Sequence, residues 1–417
     1  MIRIRFRAGI AVLSVIVAAA CKHDVTAPVQ SSPSTLTQLP RAMTIAETSV
    51  RDASNAFSFA LWSKVSAAQP DSNVFISPLS ASFALGMTMN GAANVTYDQM
   101  HSALQFGNLS LGTINGGYKS LVALLTGLDP TVKMQIANSI WYKTGFAVLP
   151  SFIDTTSLEF GATVKSLNFA DASAVATING WASAATNGKI PKVLDSIDPA
   201  EAMILMNAIY FKGSWRSRFD PAETHSATFT TSSNSQQPAQ LMHQTSTLPY
   251  QETAAYQAVD LGYGSDAFTM TVLLPKPGTD VQALAASLTP ATWAALDSHW
   301  TTLLVDFSLP KLTLTYERFL NADLMALGMS EPFDNNGADF SRLSPSGNGM
   351  FIGFVKQNSF LAIDEEGTEA AAVTTVGLFT TSVLVPPVMR VDHPYIMVIR
   401  EKLTGTVLFI GKVVRMP

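Results

Sequence analysis

The chain has 417 residues, 47% hydrophobic and only 14% charged, with a formal net charge of −5. Globular chains usually carry about a quarter charged residues, so this composition implies a large, well-filled core, in one large domain or two average ones. No basic cluster follows the first few residues, which argues against a nucleic-acid partner, and the lone cysteine, Cys21, excludes disulfides within the chain.

Arg3, Arg5 and Arg7 precede an apolar run from Ala8 to Ala20. The run is too short for an ordinary membrane span and has the shape of an export signal over residues 1–20. It ends in Ala18-Ala19-Ala20 before Cys21, which resembles a bacterial lipobox, although leucine is usual where Ala18 stands. Lipidation of Cys21 would make the protein a membrane-anchored lipoprotein of the bacterial cell envelope. Conventional cleavage at the same alanines would leave it extracellular with a free thiol. Residues 22–48 are rich in Ser, Thr and Pro, with few large apolar residues before Ile45, and read as a flexible tether to a domain over 49–417.

A helix is expected from near Thr48, with Phe57, Ala60, Leu61 and Val65 at helical spacing. Asp71 and Asn73 mark a turn into a short strand, Val74-Phe75-Ile76. Ser77-Pro78 reads as a cap followed by proline at the first helical position. The residues after it are apolar nearly all round, as in a buried helix. Strands are expected over 202–211, 255–263, 267–275, 303–316, 351–364, 395–401 and 407–414, with short helices near 279–298 and 317–327. The fold class is α+β, without internal repeats.

Searches for catalytic and metal motifs find nothing. There is no G-x-S-x-G elbow and no H-E-x-x-H. The six histidines, at 23, 101, 225, 243, 299 and 393, never approach ligand spacing. Gly262-Tyr263-Gly264-Ser265-Asp266-Ala267 mimics a dinucleotide fingerprint but lies between two strands, so it reads as a hairpin turn. Asp334-Asn335-Asn336-Gly337 lacks the glutamate and spacing of a calcium loop. No enzyme, cofactor or metal is expected.

The most informative stretch is Glu365-Glu366-Gly367-Thr368-Glu369-Ala370-Ala371-Ala372-Val373-Thr374. In an extended strand alternate side chains share a face. The even set, Thr368, Ala370, Ala372, Thr374, Val376 and Leu378, carries no charge; the odd set holds Glu369. One face can therefore enter a core while the other stays near solvent. The stretch suits an Ala/Thr-rich surface loop and also a strand inside a sheet.

This hinge resembles that of the reactive loop in serpins, and the likeness runs in family order from about residue 50 to 417. It includes NVFISPLSASFALGMTMNGA (73–92), NSIWYKTGFAVLPSF (138–152), INGWASAATNGKIPKVL (178–194), LMNAIYFKGSWRSRFDPAETHSATF (205–229) and the terminal 391–417. The resemblance implies a serpin fold, with helices around a large central mixed sheet, smaller sheets and an exposed reactive loop. It also implies a suicide-substrate inhibitor of serine proteases. The protease would cleave near Thr381-Ser382 and become trapped as an acyl-enzyme when the loop inserts into the sheet. Glu365 and Trp215 would mark where the loop enters. Ser77, Ser80, Asn207 and Gln357 would lie where the strands part, Gln357 standing where the family often has histidine. An elastase-like, subtilisin-like or chymotrypsin-like target is expected, because no Arg or Lys occurs between Glu365 and Met389. Only Lys119 stands where some relatives bind polyanions, so no heparin-like activator is expected, and the protein should be a monomer. The alternative is a non-inhibitory serpin acting as a lipid-anchored surface binding module.

Overall fold

The structure, a computed structural model, describes Met1, residues 34–368 and residues 385–417. The first half comprises Ile45–Ala68 (α1), Val74–Ile76 (β1), Pro78–Met89 (α2), Asn94–Ala103 (α3), Leu111–Gly127 (α4), Val132–Lys143 (β2), Pro150–Phe160 (α5), Thr163–Leu167 (β3), Ala172–Ala185 (α6) and Met203–Ser214 (β4). Then come His225–Thr230 (β5), Gln236–Glu252 (β6), Tyr256–Tyr263 (β7), Phe268–Pro275 (β8), Val281–Ser287 (α7), Pro290–Asp297 (α8), Thr301–Pro310 (β9), Leu312–Phe319 (β10) and Asn321–Met325 (α9). Lys356–Ile363 (β11), Gly367–Thr368 (β12), Val388–Arg390 (β13), Tyr395–Glu401 (β14) and Val407–Val413 (β15) complete the order.

Among the described residues the strands form three groups. A nine-stranded sheet runs β1-β15-β14-β8-β7-β6-β9-β13, with β5 on β6. The central sheet is split in two. One part is β12-β4-β2-β3, the other the antiparallel pair β10-β11. The inner face of β4 and β2 joins the main core, which includes Phe57, Trp62, Phe83, Tyr118 and Phe211. The outer face is covered by α6 through a second cluster of Trp141, Ile178, Ala182, Ile190 and Ile204. The α+β class expected from the sequence is the one observed.

Local signals explain most of the elements. Ser77 caps α2, its side chain accepting from Ser80 N–H, with Pro78 in the first turn. Nearly every residue of α2 is buried, as its all-round apolar pattern requires. The Gly262–Ala267 stretch makes the β7–β8 hairpin: Gly262 and Tyr263 end β7, opposite Thr269 and Phe268, and 264–267 form the turn.

Four expectations differ. The first helix begins at Ile45, because Thr44 and Glu47 form a capping box there. Leu36, Leu39 and Met43 also pack on the main core, so ordered chain extends into the stretch read as tether. The single strand expected over 303–316 is two, broken at Pro310-Lys311: β9 pairs with β6 in the large sheet, and β10 pairs with β11. Proline lacks the N–H that would continue the ladder, and the chain changes sheets there. Finally, the strand expected from residue 351 starts at Lys356.

Candidate functional site: a hinge at the mouth of the central sheet

β11 ends at Ile363, and the chain then turns tightly. Asp364 Oδ1 accepts from the N–H groups of Glu366 and Gly367 at 3.0 and 3.2 Å. This side-chain turn reverses the strand, and β12 runs back antiparallel to the end of β4, with Gly367 opposite Ser214 and Thr368 opposite Gly213. Gly367 has φ +149°, and a Cβ there would stand 2.2 Å from the Gly213 carbonyl oxygen. No other residue fits.

The segment after β4 holds the turn from outside. Trp215 Nε1 donates to the Asp364 carbonyl at 2.9 Å and Trp215 N–H to that of Glu366 at 2.8 Å. Phe219 N–H donates to the Glu365 carbonyl at 3.0 Å. The buried Glu365 carboxylate accepts from Lys311 Nζ at 2.7 and 2.9 Å and from Thr224 Oγ1 at 2.8 Å. Burial works to raise its pKa, but Lys311, its own backbone N–H and Thr224 together outweigh burial and hold it below the ordinary glutamate value. Thr368 is buried, its hydroxyl 2.8 Å from that of Tyr263, and Tyr263 stacks on Trp215 with ring centroids 4.6 Å apart.

Lower in the sheet two further networks meet on the first turn of α2. On the β11 side, Gln357 accepts from Ser77 N–H at 3.2 Å and donates to the Ser77 carbonyl at 2.7 Å. On the β4 side, Asn207 accepts from the Ser80 hydroxyl and donates to Asn138 Oδ1 at 2.6 Å. Ser77 Oγ donates to the Leu408 carbonyl at 2.8 Å. Gln357 therefore fills the position with both functions of its amide. Both sides of the split are tied to α2.

The space between β4 and β11 changes along its length. Near the hinge it is a narrow cleft of about 20 Å³, lined by Ile209, Phe211, Phe360, Leu361 and Thr368 among others. Toward the start of β4 it widens to a cavity of about 530 Å³, lined by Ser80, Met203, Leu205, Asn207, Val355 and Gln357 among others.

Ser77, Ser80, Asn207, Trp215, Gln357, Glu365, Glu366, Gly367 and Thr368 thus gather along one split in one sheet. Glu369, Ala370, Ala371, Ala372, Thr381, Ser382 and Cys21 lie outside the described residues. Among the described residues no three His, Cys, Asp or Glu side chains converge as a metal site. Sequence reasoning missed Tyr263, Lys311, Thr224 and Asn138. Tyr263 was within the turn read only as a hairpin, and Lys311 within the strand read as continuous; neither carries a local signal of its partner.

Residues 52–416 match the family profile described as Serpin (serine protease inhibitor). Human leukocyte elastase inhibitor is 31% identical over 373 residues, covering 86% of this chain and 97% of that protein. Iripin-8 of Ixodes ricinus is 33% identical over 355 residues, covering 82% of this chain and 87% of that protein. The native-state structure of the thermophilic serpin tengpin superposes with a TM-score of 0.80 at 29% identity, covering 93% of this chain and 98% of tengpin. With the profile spanning nearly the whole described domain, the chain belongs to the serpin family.

Proposed function

We propose that this protein inhibits serine proteases by suicide-substrate trapping. A protease attacks the Thr381 carbonyl, the Thr381–Ser382 peptide bond breaks, and the acyl-enzyme forms on Thr381. The freed loop then inserts between β4 and β11, carrying the protease with it.

The observation that carries this reading is the register of β12. Continuing Gly367–Ser214 and Thr368–Gly213 along β4 pairs Ala370 with Phe211 and Ala372 with Ile209, where the cleft is narrow. Thr374, Val376 and Leu378 then meet Asn207, Leu205 and Met203, the residues that line the wide cavity. Small side chains fall where there is little room and larger ones where there is space. On the outer face Glu369 falls opposite Lys212, which neighbours Lys133 on β2. The odd face does not simply meet solvent, since α6 covers β4 there. Pairing of about a dozen residues, at roughly 0.5–1.5 kcal/mol per hydrogen bond, together with apolar burial, yields on the order of 10 kcal/mol to distort a bound protease.

The small side chains around Thr381 suit an elastase-like or subtilisin-like enzyme; Leu378 and Phe379 suit a chymotrypsin-like one in a shifted register. The name of leukocyte elastase inhibitor supports the first class. Export, with lipidation of Cys21, is proposed from the signal-like N-terminus and is tested by metabolic labelling with a fatty-acid analogue. The decisive experiment mixes the protein with elastase, subtilisin and chymotrypsin and follows the products on a denaturing gel. A boiling-resistant band at the summed mass is expected, and the released peptide should begin at Ser382. Clean cleavage without that band would leave the non-inhibitory binding module.

A further inference from the structure

The wide part of the split has apolar walls that the chain leaves partly open. Its floor is α2, where Ala84 alone of the helix residues is not buried, because it faces the cavity. On the two sides Met203 and Leu205 of β4 and Ile352 and Val355 ahead of β11 stay half-buried, and Phe351 is 46% exposed. Small-molecule sites are concave spaces of about 300–1,000 Å³, with mostly apolar walls and a few placed polar groups. At about 530 Å³ this cavity has that size and that lining.

The charged groups of the wall are unevenly satisfied. The approach to β4 is a turn in which Asp198 Oδ1 accepts from Ala200 N–H, and the Asp198 carbonyl from Glu201 N–H, both at 2.9 Å. This turn sets the carboxylates of Asp198 and Glu201 together on the cavity wall. Glu201 is half-buried, and among the described residues its carboxylate has no hydrogen-bond donor and no cation. Burial first, and the Asp198 charge second, hold its pKa above the ordinary glutamate value. The lysine on the wall, Lys356, is engaged elsewhere: its Nζ donates to the Val193 carbonyl at 3.0 Å and pairs with Glu317 at 2.9 Å. A partly desolvated carboxylate is relieved by an opposite charge.

We propose that this cavity binds a hydrophobic amine, a small organic cation whose ammonium group sits on Glu201 and Asp198 and whose apolar body lies against Met203, Leu205, Phe351 and Ala84. A neutral molecule of the same shape would desolvate Glu201 further without giving it a partner, and an anion would meet two like charges. The consequence for proteases rests on the trapping function proposed above. The register carried along β4 brings Val376 and Leu378 to Leu205 and Met203, so the amine and the inserted loop compete for one space. With the amine bound, the loop is cleaved and the protease leaves instead of being held.

The test uses the full chain and a biphenylbutylamine probe, beside the matching alcohol and carboxylic acid, with binding read by titration calorimetry at neutral pH. The amine should bind one to a chain and about tenfold more tightly than the alcohol, the effect of one charge-assisted hydrogen bond. The acid should bind more weakly than either. Glu201→Gln should bring the amine down to the affinity of the alcohol. Ala84→Leu, which fills the cavity from α2, should weaken both, with circular dichroism as the check on folding. No binding, equal binding of amine and alcohol to the parent, or amine binding that either folded variant leaves unchanged overturns the site. Trapping is scored separately by the boiling-resistant complex, with and without saturating amine. Its absence without amine defeats the functional reading and leaves the site to calorimetry, whereas a complex that saturating amine does not diminish defeats only the competition.

Discussion

The two ends of the split between β4 and β11 are built differently. At the upper end the turn is pinned by backbone donors from Trp215 and Phe219, by the Lys311–Glu365 pair and by Tyr263, and the cleft is narrow. At the lower end Gln357 and Asn207 each bind α2 on their own side, across a wide cavity. On the trapping mechanism proposed above, the upper end would select an inserting strand by size and the lower end would be where the sheet yields. A narrow, well-bonded mouth above a wide cavity is the arrangement that mechanism calls for.

The largest effect should come from blocking the mouth. Thr368→Arg would put a guanidinium beside Tyr263, where an unpaired buried charge costs several kcal/mol, about 3–5 in measured cases. Trapping should be abolished while cleavage continues, so the gel shows cleaved inhibitor and no complex. A retained complex would mean that Thr368 need not be buried.

At the lower end Gln357→Leu strands the buried N–H of Ser77, whose carbonyl keeps its bond from Ala81 N–H, at a cost of about 1–3 kcal/mol read from the urea midpoint. Asn207→Ala should cost a similar amount. The double variant tests how far the two networks are joined: Ser77 accepts from Ser80 N–H between them and both line one cavity, so a coupling of about 0.5–3 kcal/mol is expected. A smaller coupling would mean that α2 keeps the two sides independent.

Acid should loosen the upper end. Because the folded state holds the Glu365 pKa below its unfolded value, its contribution is present above the ordinary glutamate value and is lost as the pH falls through the folded one. Protease-free insertion should therefore quicken in acid below about pH 4.3. Glu365→Gln should remove that component of the pH dependence. An unchanged profile in Glu365→Gln would assign the acid effect to other carboxylates.

The smallest effect is expected at Lys212, if Glu369 pairs with it on insertion. Lys212→Glu should replace an attraction with a repulsion, each worth roughly 0.2–1 kcal/mol. It should slow insertion modestly, as an increase in cleaved over trapped product. Lys212→Glu combined with Glu369→Lys should restore the ratio, and failure to do so would break the register.

The sequence carried the parts of this structure that depend on local chemistry. Ser77-Pro78 announces α2, and the order of motifs announces the family. Contacts between distant segments were not legible. Tyr263 and Thr368 are 105 residues apart, and Lys311 and Glu365 are 54 apart. Pro310 was visible as a residue, but only the two different pairing partners of β9 and β10 reveal it as the point where the chain changes sheets. The long strand β6 escaped because its polar-rich sequence, QQPAQLMHQTSTLPYQE, owes its order to β9, β7 and β5 rather than to an apolar run.

Gly367 carries a practical lesson for retargeting. With the Gly213 carbonyl where its side chain would be, the position tolerates no diversification, and the turn bonds of Asp364 fix its neighbours. A library aimed at a new protease should therefore keep 364–368 constant and spend its variation around 381. On the trapping mechanism proposed above, changes at the recognition end would then alter which enzyme is captured while leaving intact the part that decides whether capture is possible.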